Sequence, residues 1–275
     1  MKIRLSVIVF VLLIAAQLVV AQQAPGAEFD AYVNKAIKDW GVPGVAIAIV
    51  KDDRIVMAKG YGVRELNRPE PVDEKTLFAI GSSSKAFTAM SLAMLVDQGK
   101  LKWDDPATKY LPGFQLFDPY STRELTVMDL VTHRSGLTRG DLLWYASDHD
   151  RKEVLRRVRF LKPSWSLRAR FGYQNIMFLA AGEVIPSVTG KSWDDFLRER
   201  IFNPLGMTST STSIKAFAGA TNIATPHGKI EDKVQAIAWR NIDNIAPAGS
   251  INSNVQDMAQ WVRLNLGGGT YEKQR

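Results

Sequence analysis

The chain contains no cysteine, which excludes disulfides, thiolate metal ligands and a cysteine nucleophile, and fits an exported protein that needs no oxidative folding. Histidine is scarce, with three in 275 residues. His133, His149 and His227 show no ligand-like spacing with acidic residues, which argues against a metal-dependent hydrolase. No Gly-x-Ser-x-Gly elbow is present and no histidine is placed as a triad base, which argues against an α/β-hydrolase. No dense Lys/Arg block and no low-complexity tract occur, so nucleic-acid binding finds no support.

The residues that are present carry more. Lys2 and Arg4 precede an apolar stretch, Leu5 to Val20, and Val19-Val20-Ala21 offers a cleavage point. Residues 1–21 therefore read as a secretory signal cut after Ala21, giving a periplasmic or secreted protein with no stable membrane anchor. The stretch is short for a spanning helix, which needs roughly 20 apolar residues. Its removal takes the formal charge from +7 to +5, a mild basic excess suited to an anionic envelope.

Residues 22–275 read as one domain with an apolar fraction (46% overall) sufficient for a core. Helical spacing of Phe29, Val33, Ala36, Ile37 and Trp40 predicts a helix over Glu28 to Asp39, stopped by Gly41-Val42-Pro43-Gly44. Val45 to Val50 and Arg54 to Gly60 predict a hairpin turning at Lys51-Asp52-Asp53. Helices are expected over Ala86 to Gln98, Leu125 to Gly136, Arg151 to Phe160, Asn175 to Val188, Trp193 to Phe202 and Asn254 to Leu266. The basic charges of Arg151 to Phe160 read as a solvated face. Short strands are expected between Ile223 and Ile237, and a turn at Ala246-Pro247-Ala248-Gly249-Ser250.

Two stretches carry chemistry. Ser82-x-x-Lys85 opens a helical pattern, and residues three apart share a helix face, so the hydroxyl and amine can meet. A serine hydroxyl attacks well only when a neighbour takes its proton, and a lysine with lowered pKa can do so. The same Gly-Ser-Ser-Ser run also suits a plain loop, with Ser82 or Ser83 as a helix cap. Tyr173-Gln174-Asn175 is the second. On extended backbone, Tyr173 and Asn175 face one way. A tyrosine beside an ammonium can shuttle protons, and an asparagine amide can bond a carbonyl or steady Lys85. Both also suit an ordinary boundary aromatic and a helix cap.

Taken together, Phe78 to Lys85, Leu130 to Leu137, Tyr173-x-Asn175, Pro204-Leu205-Gly206-Met207 and Pro247-Ala248-Gly249 resemble the serine β-lactamase-related family in order and approximate spacing. That family includes class C β-lactamases, D-alanyl-D-alanine carboxypeptidases and esterases, and the resemblance spans nearly all of Glu28 to Leu266. It implies an α+β, β-lactamase/transpeptidase-like fold: an antiparallel sheet packed with helices, beside a mainly helical region. It also implies a serine hydrolase that forms an acyl-enzyme on a β-lactam, a D-Ala-D-Ala peptide or a small ester, with no cofactor and no metal. Ser82 becomes the nucleophile, Lys85 its activator, Tyr173 the proton shuttle and Asn175 a substrate-positioning residue. The Ser82 backbone N–H becomes one oxyanion donor. His133, Arg134 and His227 fall in family blocks but read as structural. The family's third motif, Lys-Thr-Gly or His-x-Gly on a later strand, is not found. The expectation is therefore a C-terminally truncated form whose hairpin lacks partners from a five-stranded sheet. Lacking one oxyanion donor, worth about 10²–10³ in rate, it is expected to be weak or inactive unless another segment completes it. The alternative is a non-catalytic relative that binds cell-wall peptide or a protein partner.

Overall fold

A computed structural model describes residues 25–272; the expected signal segment lies outside them. Helix α1 (Ala27–Trp40) leads into strands β1 (Gly44–Lys51) and β2 (Arg54–Gly62). These pair antiparallel from Gly44↔Gly62 to Lys51↔Arg54, with an irregularity between Ile49 and Val50. Asp52 and Asp53 both take positive φ at the turn, a conformation that acidic and amide side chains tolerate better than branched ones. Each strand runs one or two residues beyond the expected limits. Among the described residues β1 has no second neighbour, so the five-stranded sheet is not formed by them. Helix α4 (Val255–Leu266) packs across the hairpin instead, and Arg263 reaches the Asp53 carboxylate at 2.9 Å.

The remaining long helices are α2 (Ser84–Asp97) and α3 (Asn175–Thr189). Helix α3 is the centre of the core: Ile176, Met177, Leu179, Ala180, Ala181, Val184 and Ile185 are all fully buried. Each large apolar side chain so buried contributes about 1.5–3 kcal/mol, so α3 is held by packing on several sides. Phe87 of α2 stacks on Trp261 of α4 with centroids 3.9 Å apart. Ala with small neighbours lets α3 lie close to the segment 246–250, and Gly182 is the tightest point. A Cβ there would lie 2.2 Å from Pro247 Cγ.

Several local expectations are corrected. The helix expected over Leu125 to Gly136 covers only Val127–Val131. Its start is a capping box, Thr126 with Asp129, but His133 takes φ 57°, which ends the helix and turns the chain. Residues 246–249 form a short helix rather than a turn, with Pro247 in its first turn, where the missing N–H costs nothing. The helix over Trp193 to Phe202 changes to wider π-type winding at Arg198. Strands β4 (His227–Ile230) and β5 (Lys233–Ala236) form a hairpin where short strands are expected. Two-residue strands β3 (Phe78–Ala79) and β6 (Asn252–Ser253) also pair antiparallel. No helix among the described residues is long and apolar enough to cross a membrane.

Candidate active site

Ser82 sits in a 3₁₀ turn, Gly81–Ser83, that runs directly into α2. The turn leaves its side chain exposed, while Lys85 one helical turn on is buried, at 7% exposure. Lys85 Nζ donates to Ser82 Oγ at 3.0 Å and to the Ala248 carbonyl at 2.6 Å. The Ser82 N–H falls in a first turn, where a helix has no acceptor of its own.

Residues 246–253 are fastened to the motif segment by backbone bonds. Ile80 N–H donates to the Ile251 carbonyl at 3.0 Å, and Ile251 N–H donates to Ser84 Oγ at 3.1 Å. Thr88 Oγ1 donates to the Pro247 carbonyl at 2.8 Å and accepts from Trp193 Nε1 at 3.0 Å. Ala248 therefore has little freedom to leave Lys85. The Pro-Ala-Gly block, which carried no assigned role in the sequence, supplies the lysine's main-chain acceptor.

Tyr173 comes in from the other wall. Its hydroxyl lies 2.6 Å from Ser82 Oγ, a short contact in which either oxygen can donate. Its approach is set by a strap of bonds: Gly172 N–H to the His133 carbonyl at 2.8 Å, and Gln174 N–H to His133 Nδ1 at 3.0 Å. Gln174 is fully buried; its side chain accepts from Ile176 N–H and donates to the Thr138 carbonyl, capping α3. The cap is therefore Gln174 rather than Asn175. His133 also lies against the Tyr173 ring, centroids 4.5 Å apart, so its structural role is to place the tyrosine. Farther out, Arg168 holds the buried Asp129 carboxylate at 2.6 Å and ties this strap to the helix Val127–Val131.

Two cations face the Tyr173 ring: Lys85 Nζ at 4.9 Å and the Arg139 guanidinium at 5.3 Å from its centroid. Burial pushes the phenol pKa up, but bonds with Lys85 and Ser82 and the charges of Lys85 and Arg139 outweigh it, leaving it below the ordinary tyrosine value. Burial pushes the Lys85 amine below the ordinary lysine value, only partly offset by Tyr173 and Asp141. Burial and the Lys85 charge both lower His133, which keeps the imidazole neutral and its Nδ1 free to accept from Gln174.

Asn175 lies in the first turn of α3, and its Nδ2 donates to Asp141 Oδ1 at 3.0 Å. The same carboxylate accepts from Trp144 Nε1 at 3.0 Å and Arg139 Nε at 2.6 Å. Burial alone pushes the Asp141 carboxyl up, but these three donors hold it below the usual carboxylate range. The structure thus brings Ser82, Lys85 and Tyr173 into direct contact and joins Asn175 to them through Asp141 and Arg139. Neither Arg139 nor Asp141 was singled out from the sequence. His227 lies elsewhere, accepting from Leu66 N–H at 3.1 Å.

The sequence model of the Beta-lactamase family matches residues 29–275. The chain is 32% identical over 253 residues to the unguisins hydrolase ungD' of Aspergillus campestris (strain IBT 28561), covering 87% of this chain and 47% of that protein. It is 24% identical over 249 residues to protein flp of Staphylococcus aureus (strain COL), covering 87% and 48%. Among solved structures, the octameric penicillin-binding protein homologue from Pyrococcus abyssi superposes with a TM-score of 0.78 at 24% identity, over 88% of this chain and 56% of that one. The D-alanine carboxypeptidase AmpC from Burkholderia cenocepacia gives 0.71 at 27% identity, over 86% and 62%. The chain spans about half the length of the curated relatives it matches.

Proposed function

The chain belongs to the beta-lactamase family, and from that premise we propose that it carries the acyl-transfer machinery of a serine hydrolase acting on an amide or ester. The observation that carries this reading is Ser82 Oγ held between Tyr173 Oη at 2.6 Å and Lys85 Nζ at 3.0 Å on an exposed turn. A plain helix cap needs neither contact.

The steps follow from these contacts. Tyr173, as phenolate beside the Lys85 ammonium, takes the Ser82 hydroxyl proton as Oγ bonds to the substrate carbonyl carbon. The Ser82 N–H stands as one donor to the oxygen that gains charge. Collapse of the tetrahedral species breaks the bond to the leaving group, which takes the proton from Tyr173. Water then attacks the acyl-enzyme carbonyl and gives a proton to the Tyr173 phenolate; collapse breaks the bond from the carbonyl carbon to Ser82 Oγ, which takes that proton back from Tyr173 as the acid leaves. Lys85 stays positioned throughout by the Ala248 carbonyl, an uncharged partner that anchors the amine without adding a carboxylate to the site. Substrates in keeping with this chemistry are a β-lactam, a D-Ala-D-Ala peptide or a small ester.

Intact-mass spectrometry after exposure to a fluorophosphonate tests the reading, with Ser82→Ala as control. One adduct, lost in the variant, is expected. An unlabelled wild-type chain, or an adduct that persists in the variant, refutes it. A panel of the three substrate classes then separates them.

A further inference from the structure

Helix Arg151–Arg157 and the 3₁₀ turn that follows it present a row of cations, read from the sequence as a solvated face. Much of that charge is already cancelled. Arg151 gives two bonds to Asp194, at 3.0 and 3.3 Å, and Arg156 and Arg157 share Glu153. Two cations are left over. Lys152 is exposed and makes no hydrogen bond or ion pair with a described residue. Arg159 bonds only to carbonyls, of Arg156 at 2.9 Å and Gly113 at 3.0 Å, and these leave its charge uncancelled. Both residues line a cavity of about 480 Å³, with Tyr110, Phe114 and Leu155 as its apolar wall. That volume lies within the range of small-molecule sites.

Glu183 lines the same cavity from α3, the helix at the centre of the core, between two buried neighbours. Its carboxyl accepts no hydrogen bond from a described residue. The nearest cation, Arg151 Nη1, stands 3.8 Å away and is committed to Asp194. Burial accordingly pushes the Glu183 carboxyl above the usual carboxylate range. A carboxylate only accepts, and taking one out of water without donors is costly. Glu183 therefore lacks a donor, best a charged one, while Lys152 and Arg159 lack an anion. A single ligand can supply both. We propose that this cavity binds a zwitterionic apolar amino acid: ammonium on Glu183, carboxylate on Lys152 and Arg159, side chain against Tyr110, Phe114 and Leu155. None of Ser82, Lys85, Tyr173 and Asn175 lines the cavity, so the inference stands apart from the serine-hydrolase reading.

Three matched probes test this: L-phenylalanine, 3-phenylpropanoate, which lacks the ammonium, and 2-phenylethylammonium, which lacks the carboxylate. Each is titrated against the full chain by ligand-observed NMR. Phenylalanine is expected to bind about tenfold more tightly than either half-molecule, since each charged group adds a charge-assisted bond. Glu183→Gln keeps the shape but removes the charge, and should bring phenylalanine to within about twofold of phenylpropanoate. Lys152→Met should weaken phenylalanine and phenylpropanoate by about threefold or more and leave phenylethylammonium unchanged. Because Lys152 is exposed and unbonded, that variant decides the matter if a thermal melt shows Glu183→Gln unfolded. No saturable binding of phenylalanine to the wild-type chain, no preference for it over the half-molecules, or a preference that survives the folded variants overturns the proposal.

Discussion

Gly182→Ala is a one-carbon change outside the candidate site that should reach Ser82. On an exposed helix this substitution gains about 1 kcal/mol. At residue 182 the new Cβ would stand 2.2 Å from Pro247 Cγ and 2.5 Å from its Cβ, where ordinary contact begins at 3.4 Å. Pro247 is a ring on a short buried helix and cannot swing aside as a long side chain would. It must retreat by about 1 Å, and such overpacking costs about 1–3 kcal/mol. The clash therefore outweighs the propensity gain, for a net loss of up to about 2 kcal/mol. The functional effect is larger. Ala248 follows Pro247, and its carbonyl holds Lys85 at 2.6 Å. Displacement on the order of 1 Å breaks that bond and releases the amine from Ser82, a misplacement that can cost about 10²-fold in rate. The assay is the second-order rate of fluorophosphonate labelling, read beside a thermal melt. A folded Gly182→Ala variant that labels at the wild-type rate refutes the claim that this packing contact positions the lysine.

Three further outcomes follow from the same contacts. Tyr173→Phe keeps the ring on His133 but loses the proton acceptor, and should lower the labelling rate by about 10²–10⁴-fold with little change in melting temperature. Because the Tyr173 phenol is held below its ordinary value of 10.0, the wild-type labelling rate should rise with pH through a midpoint below that value; Lys85→Met removes a stabilising charge and should move the midpoint upward, so an unchanged midpoint excludes the phenolate as base. Asp129 is buried against Arg168, and bonds from Arg168 and Thr126 outweigh burial and lower its pKa, so its stabilising effect is present above the unfolded aspartate value and lost as pH falls through the lower folded one. Asp129→Asn should cost about 2 kcal/mol near neutral pH in urea melts, discounted for the partly exposed arginine, and progressively less in acid; a cost that does not shrink in acid refutes the ion-pair account.

The contact between Ser82 and Lys85 was legible in the sequence because short-range geometry links them. Ser82 and Lys85 lie one turn apart, a spacing that lets hydroxyl and amine meet, while the Ala248 carbonyl fixes the amine there. Tyr173 needed more than periodicity: its role was drawn from resemblance, and the bond to Ser82 across 91 residues appears only in the fold. Arg139 and Asp141 escaped notice because they flank Gly140 in an irregular turn, where no helical or strand period assigns a face. Gly140 itself, with φ 61°, was the available signal that the chain doubles back there. Ala248 carried no readable cue, since any residue has a carbonyl and the fold decides which one faces the lysine. The helix expected through Gly136 failed for a similar reason: Gly136 is the first stop signal in the sequence, but the left-handed His133 that ends the helix earlier is imposed by its bonds to residues 172–174.

The bond from Lys85 to Ala248 joins residues 163 apart in the chain, and the β3–β6 pairing spans a like distance. Contacts of such separation form late in folding, because a long loop must close before they repay its entropy. During synthesis the lysine cannot meet its acceptor until the ribosome has released residues 246–253. Partly made or partly folded chains therefore carry Ser82 without the full set of contacts around Lys85. On the reading proposed above, Ser82 is armed only once these contacts are made, and its labelling by a covalent probe would then measure how much of a preparation has made them.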